Sequence, residues 1–210
     1  FCIYPSISNN MEIDTMIKAF PEEILKSFNF DLISISTVFG WYASEGFMIV
    51  CLIGALYAAT IGSTIILKEE SDKTIEFLYA KPVSRNKILI FKLLTGVFYI
   101  CLFNILIMTV TGIGFALSDD LDVNKWLLLS LSPILIDLAV FMIMAFISTF
   151  FSKTRKAMGI SFGLVMGTYV VNVIAQMSDK VSFLKYFTPF GYVSVESIIK
   201  NGALDGYCVI

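Results

Sequence analysis

Four stretches of this chain are too long and too apolar to sit anywhere but in lipid. Residues 46–67 run for 22 positions without a charge, roughly 33 Å as an α-helix, enough to cross a hydrocarbon core of about 30 Å. Residues 93–118 form a second such run and 157–178 another. Between them, 126–152 is broken only by Pro133 and Asp137, and its Trp126 suits a membrane interface. Lipid offers backbone groups no water to bond, so each run is expected to be a helix. The composition agrees: 57% of residues are hydrophobic and 15% charged, against about 45–50% and 25% in soluble domains. The fold class expected is all-α, a polytopic helical membrane protein with four complete spans in one transmembrane domain over 1–210.

A charge-dense segment, 68–92, separates the first two runs. It carries ten of the chain's 32 charged residues: Lys68, Glu69, Glu70, Asp72, Lys73, Glu76, Lys81, Arg85, Lys87 and Lys92. Such a segment cannot cross lipid and must face water. Ser71 and Asp72 are good N-cap types, and Ile75, Leu78 and Tyr79 then share one face of a surface helix about two turns long. Pro82 ends that helix, and Ser84 is placed to cap the next.

In order and spacing this segment resembles the permease subunits of type-2 ATP-binding-cassette (ABC) exporters. The residues that carry the resemblance are Glu69, Glu70, Thr74, Ile75, Glu76, Phe77, Leu78, Pro82, Val83, Ser84, Arg85 and Lys92. The resemblance implies that 68–92 is a coupling helix, the part that docks on a separate ATPase subunit. It implies six spans in the intact subunit. It also implies that ATP and magnesium are held by the ATPase partner, with no cofactor on this chain. The plainer reading is an ordinary charged loop between spans.

The outer segments follow the same reading. Residues 1–45 hold six acids against two lysines, with Pro21, Glu22 and Glu23 suited to a first helical turn. They are expected to lie as amphipathic helices on the outer surface. Residues 179–206 form a second outer segment, and 207–210 begin a further span. Phe1 and this apolar end are expected to be the ends of a piece of a longer protein. Lysine and arginine orient the whole. Six lie in 68–92 and three in the loop of Lys153, Arg155 and Lys156, whereas 118–125 has three aspartates and one lysine. The two basic loops are on one side by span parity and are expected to be cytoplasmic.

Within the spans the chemistry is sparse. Asp137 is the one ionisable residue deep in a run, where charge costs about 2.5 kcal/mol or more, so it should face protein or water. It is a candidate for a translocation path with Asn104 and Asn172; the plainer reading is structural, in that Pro133 frees a carbonyl one turn earlier and a protonated Asp137 can hydrogen-bond locally or to a neighbouring helix. Gly159, Gly163 and Gly167 recur every fourth residue, the small-residue spacing that lets helices approach closely. Packing within the subunit is preferred for them over a seam between subunits. The chain has no histidine, which removes the commonest metal ligand and general base. Cys2, Cys51, Cys101 and Cys208 have no zinc spacing. The net charge of −2 makes nucleic acid an unsuited partner. No phosphate-binding GxxxxGK[ST] string occurs, and Gly112–Gly114 lacks the strand context of a nucleotide fingerprint.

The function expected is therefore a non-enzymatic membrane permease subunit of an ATP-driven exporter. Its partners would be an ABC ATPase subunit, a second permease subunit (the same or different) and the lipid bilayer, in a cell membrane of bacterial type. The alternative is a secondary transporter or channel with Asp137 as its ion or proton site. A non-transport scaffold is the third reading.

Overall fold

The fold is that of a computed structural model, which describes residues 40, 42–79, 82–117, 122–177 and 179–193. A π-helical turn, Tyr42–Gly46, leads into α1, Phe47–Ile65. Two short helices follow, α2 at Lys68–Ser71 and α3 at Ile75–Tyr79. The long helices α4 (Arg85–Ala116), α5 (Val123–Ser148) and α6 (Thr154–Met177) complete the bundle. Two 3₁₀ segments, Asp179–Phe187 and Pro189–Tyr192, close the described chain. The described residues are mostly helical and include no strand, and four of the helices are long and apolar enough to cross a membrane. Of the expected outer segments, residues 1–39 and 41 of 1–45 and residues 194–206 of 179–206 lie outside the described residues, as does the further span expected to begin at 207–210.

The helix ends differ from the apolar runs in an instructive way. Apolarity marks what lipid touches, whereas a helix runs until its backbone is capped or broken. Thus α4 begins at Arg85, eight residues before the apolar run. Its 32 residues span about 48 Å, longer than the hydrocarbon core. Likewise α5 begins at Val123 because Asp122 caps it, its carboxylate accepting from the Lys125 backbone N–H at 3.4 Å. The Lys125 ammonium pairs with the same carboxylate at 3.2 Å. That backbone N–H and then that ammonium hold the Asp122 carboxyl below the usual carboxylate range. A lowered value means that the cap is intact above the ordinary carboxylate range and is lost only as pH falls through the lowered value. A carboxyl NMR titration should therefore place Asp122 below a model carboxylate, and Lys125→Met should bring it part of the way back. An Asp122 midpoint at the model value would refute the cap.

The core forms where α1 meets α5. On α1 the inward face is built from Cys51, Gly54, Ala55, Ala58, Ala59, Gly62 and Ser63, nearly all small. A β-carbon on Gly62 would sit 2.7 Å from the Phe141 carbonyl oxygen and 3.1 Å from the Ala145 nitrogen. The two backbones therefore touch, as small residues in lipid permit. From the other side the Phe141 ring lies on Gly96 of α4 and is fully buried. Trp126 covers Gly112, and its indole N–H donates to Thr111 at 3.3 Å. Between α1 and α4, Tyr57 stacks on Phe103 at 4.9 Å.

The packing seam expected at Gly159, Gly163 and Gly167 is not where the described chain packs. All three are exposed, and a β-carbon on any of them would meet nothing within 4 Å. The reason is rotational. Helix α6 turns Ala157, Ser161 and Val165 inward, and the glycines come two residues later, about 200° round the helix. The working seam is Gly54, Ala58 and Gly62 on α1, which has the same four-residue spacing.

Candidate functional site

The corner between α1 and α4 is built by four local devices. Helix α1 ends at Ile65, and two turn residues, Ile66 and Leu67, break it from α2. Helix α2 is stopped by Lys73, whose φ of 57° is left-handed. The Thr74 N–H bonds the Glu69 carbonyl at 2.8 Å and the Lys73 N–H bonds the Glu70 carbonyl at 3.2 Å. That pair of bonds is a Schellman stop, usually built on glycine, here made with a lysine at a strain of about 1–2 kcal/mol. The expected caps Ser71 and Asp72 therefore end α2 instead of starting α3. Thr74 takes the starting place, its carbonyl accepting from the Leu78 N–H at 3.4 Å. The expected two-turn surface helix is accordingly shorter, the five residues of α3, and a separate turn of helix, α2, precedes it. Ser84 does stand before α4, and its carbonyl accepts from Ile88 at 3.2 Å, but its hydroxyl makes no capping bond.

The corner is tied to three spans. Lys92, in the second turn of α4, donates to the Glu69 carboxylate of α2 and to the Ile66 carbonyl at 3.4 Å. The Ser71 and Thr154 hydroxyls lie 3.3 Å apart, which joins α2 to the start of α6. This contact also brings the two basic loops to the same end of the bundle. Ile75 and Leu78 of α3 turn back toward Ile88 and Leu89 of α4, lining with Ile66, Glu69, Arg85 and Lys92 a hollow of about 80 Å³. Glu70, Asp72, Lys73, Thr74, Glu76, Pro82, Val83, Ser84 and Arg85 stay exposed to water. The side chain of Phe77 lies outside the described residues.

The intramembrane polar residues divide into two groups. Asn104 of α4 donates to the Asp137 carboxylate Oδ2 at 2.9 Å and to its own Ile100 carbonyl at 3.0 Å. Both oxygens of Asp137 lie over Gly54, where a β-carbon would come within 2.7 Å of each. Asp137 is 1% exposed, and its Oδ1 has no hydrogen-bond partner among the described residues. Asn172 is not part of this contact: it accepts from the Thr188 hydroxyl at 3.4 Å, where the 3₁₀ segments fold back on α6. The carbonyl that Pro133 leaves free, on Leu129, is taken by the Ser132 hydroxyl at 3.0 Å. Of the two bonds expected of Asp137 in the plainer reading, local or to a neighbouring helix, the structure shows the second, from Asn104 of α4. The bridging role of Gly54 was missed, although its spacing to Ala58 and Gly62 was the available signal.

The model of the ABC-2 family transporter protein matches residues 5–205, nearly the full chain. This chain belongs to the ABC-2 transporter family. No curated protein and no solved structure gives a significant match to it. As an ABC-2 permease it is a multi-pass membrane transport component, whose family works with an ABC ATPase and the surrounding lipid. In this ABC-2 permease α4 links the exposed corner to the buried Asn104–Asp137 contact, with Lys92 and Asn104 about three turns apart along it.

Proposed function

We propose that this ABC-2 permease serves an ATP-driven exporter and that the 68–92 corner couples it to a separate ATPase. The observation that carries the reading is the junction around α2, which links one exposed, charged surface to α1, α4 and α6 together. A push on that surface reaches three spans through short polar contacts, without passing through a flexible loop. Glu76, Phe77 and Arg85 would meet the ATPase, with Glu69, Glu70, Thr74, Pro82 and Ser84 shaping the surface. Leu78, turned into the hollow with Ile75, supports α3 from behind and is assigned a smaller share of the contact than Phe77. ATP and magnesium would be held by the ATPase, and a second permease subunit, the same or different, would complete the path. Asn104 and Asp137 would border that path from within the bundle.

The test is copurification of the full-length protein from native membrane in mild detergent. An ATPase with phosphate-binding motifs is expected to come with the wild type and to be lost when residues 75–78 are changed to alanine. A folded wild type that brings no ATPase, and that moves solute under an ion gradient with loss on Asp137→Asn, would replace this reading by the gradient-driven one.

A further inference from the structure

We infer that Lys92 is a positioning residue that converts the corner into a rigid lever by locking the break between α1 and α2. This rests on the coupling role proposed above and names the residue on which it depends. The break is two turn residues long, Ile66 and Leu67, both with right-handed helical φ and ψ, and such a short interruption at a helix end is where a change of φ and ψ can be absorbed. Lys92 crosses it. Its ammonium takes the Ile66 carbonyl inside the break and the Glu69 carboxylate beyond it, from a third element, α4.

Three features make this contact more than a surface ion pair. The two side chains are only 18% and 28% exposed, so water screens them less than it would an open pair. Ile66 is the C-cap of α1, where carbonyls lack helical partners and a cation is favoured. Glu69 is also the residue whose carbonyl receives the Thr74 N–H, so the lock extends through the Schellman stop to the residue that precedes α3. A single ammonium thus fixes α1, α2, α3 and α4 relative to one another. Without it, α3 is expected to swing about residues 66–67 when pushed, and the push would be absorbed there.

The experiment compares wild type, Lys92→Met, Lys92→Arg and Glu69→Gln in the full-length protein. Hydrogen exchange of amides 66–74 is measured alongside transport per ATP hydrolysed. Coupling between sites is typically worth roughly 5- to 150-fold, so Lys92→Met is expected to lower transport per ATP by about tenfold. The bound ATPase should remain, exchange at 66–74 should quicken, and exchange in α5 should be unchanged. Lys92→Arg, whose forked donor can reach both acceptors, should restore both readouts. Glu69→Gln, which keeps the size of the side chain and spares the Ile66 bond, should fall between and guards against misfolding of the methionine variant. Wild-type exchange at 66–74 in Lys92→Met, or no rescue by arginine, would overturn the inference. If the wild type carries no ATPase, the coupling reading fails by itself, and the exchange comparison still decides whether Lys92 locks the break.

Discussion

Gly62→Val will push the two central spans apart and lower the melting temperature of the protein in detergent more than any other single glycine replacement in α1. The contact at Gly62 is with backbone, the Phe141 carbonyl oxygen and the Ala145 nitrogen. A side chain there cannot be accommodated by a neighbour changing rotamer. Overpacking of this kind costs about 1–3 kcal/mol when side chains can yield, and more is expected where they cannot. The cost also spreads. Separation of α1 from α5 draws Gly54 away from Asp137 and loosens Phe141 on Gly96. Gly62→Ala should do the same to a lesser degree. Gly163→Val is the matched control, because that position opens on empty space in the described chain, and it should leave the subunit's own melting unchanged. Equal melting of Gly62→Val and wild type would show that the helices do not pack through this seam.

Asn104→Ala is expected to be the second most damaging change, and more so than Asp137→Asn. The carboxylate is 1% exposed and Asn104 is the one donor it has among the described residues. Removal of that donor leaves a buried carboxyl oxygen pair unsatisfied, at a cost of about 1–3 kcal/mol. Interhelical hydrogen bonds in membranes average nearer 0.6 kcal/mol when both partners are accounted for. The two figures predict a large single-mutant loss and a smaller pair energy. Asn104→Ala combined with Asp137→Leu should therefore recover part of the stability lost by Asn104→Ala alone, as thermal unfolding in detergent would measure. Asp137→Asn keeps the shape and an acceptor oxygen, and should fold. Losses that simply add in the double variant would mean that the two side chains do not act as a pair.

The parts of this protein that were legible in the sequence are those that vary along one dimension. The length of an apolar run decides whether a helix can cross lipid, and a charged interruption decides where it cannot. Four spans and a water-facing corner followed from those two facts alone, and the family resemblance rested on the order of residues within the corner. Lys73 was not legible, because a left-handed stop made with lysine carries no glycine to announce it. The caps were accordingly placed on Ser71 and Asp72 rather than on Thr74. Ser132 was equally hidden: any of several hydroxyls had the right type, and the folded helix decides which one takes the Leu129 carbonyl.

Asn104, Asp137 and Asn172 were all identifiable as polar residues in apolar runs, since lipid makes each of them costly. Their pairing was decided by tertiary structure, which sets Asn104 against Asp137 and sends Asn172 to Thr188. The glycines tell the same story most clearly. Gly54, Ala58 and Gly62 on one helix and Gly159, Gly163 and Gly167 on another have the same spacing, so the sequence by itself determined that each could pack closely. Which of them does so depends on how each helix is rotated about its axis. That rotation is set by the summed contacts of all neighbouring helices, and no local pattern in the chain contains it.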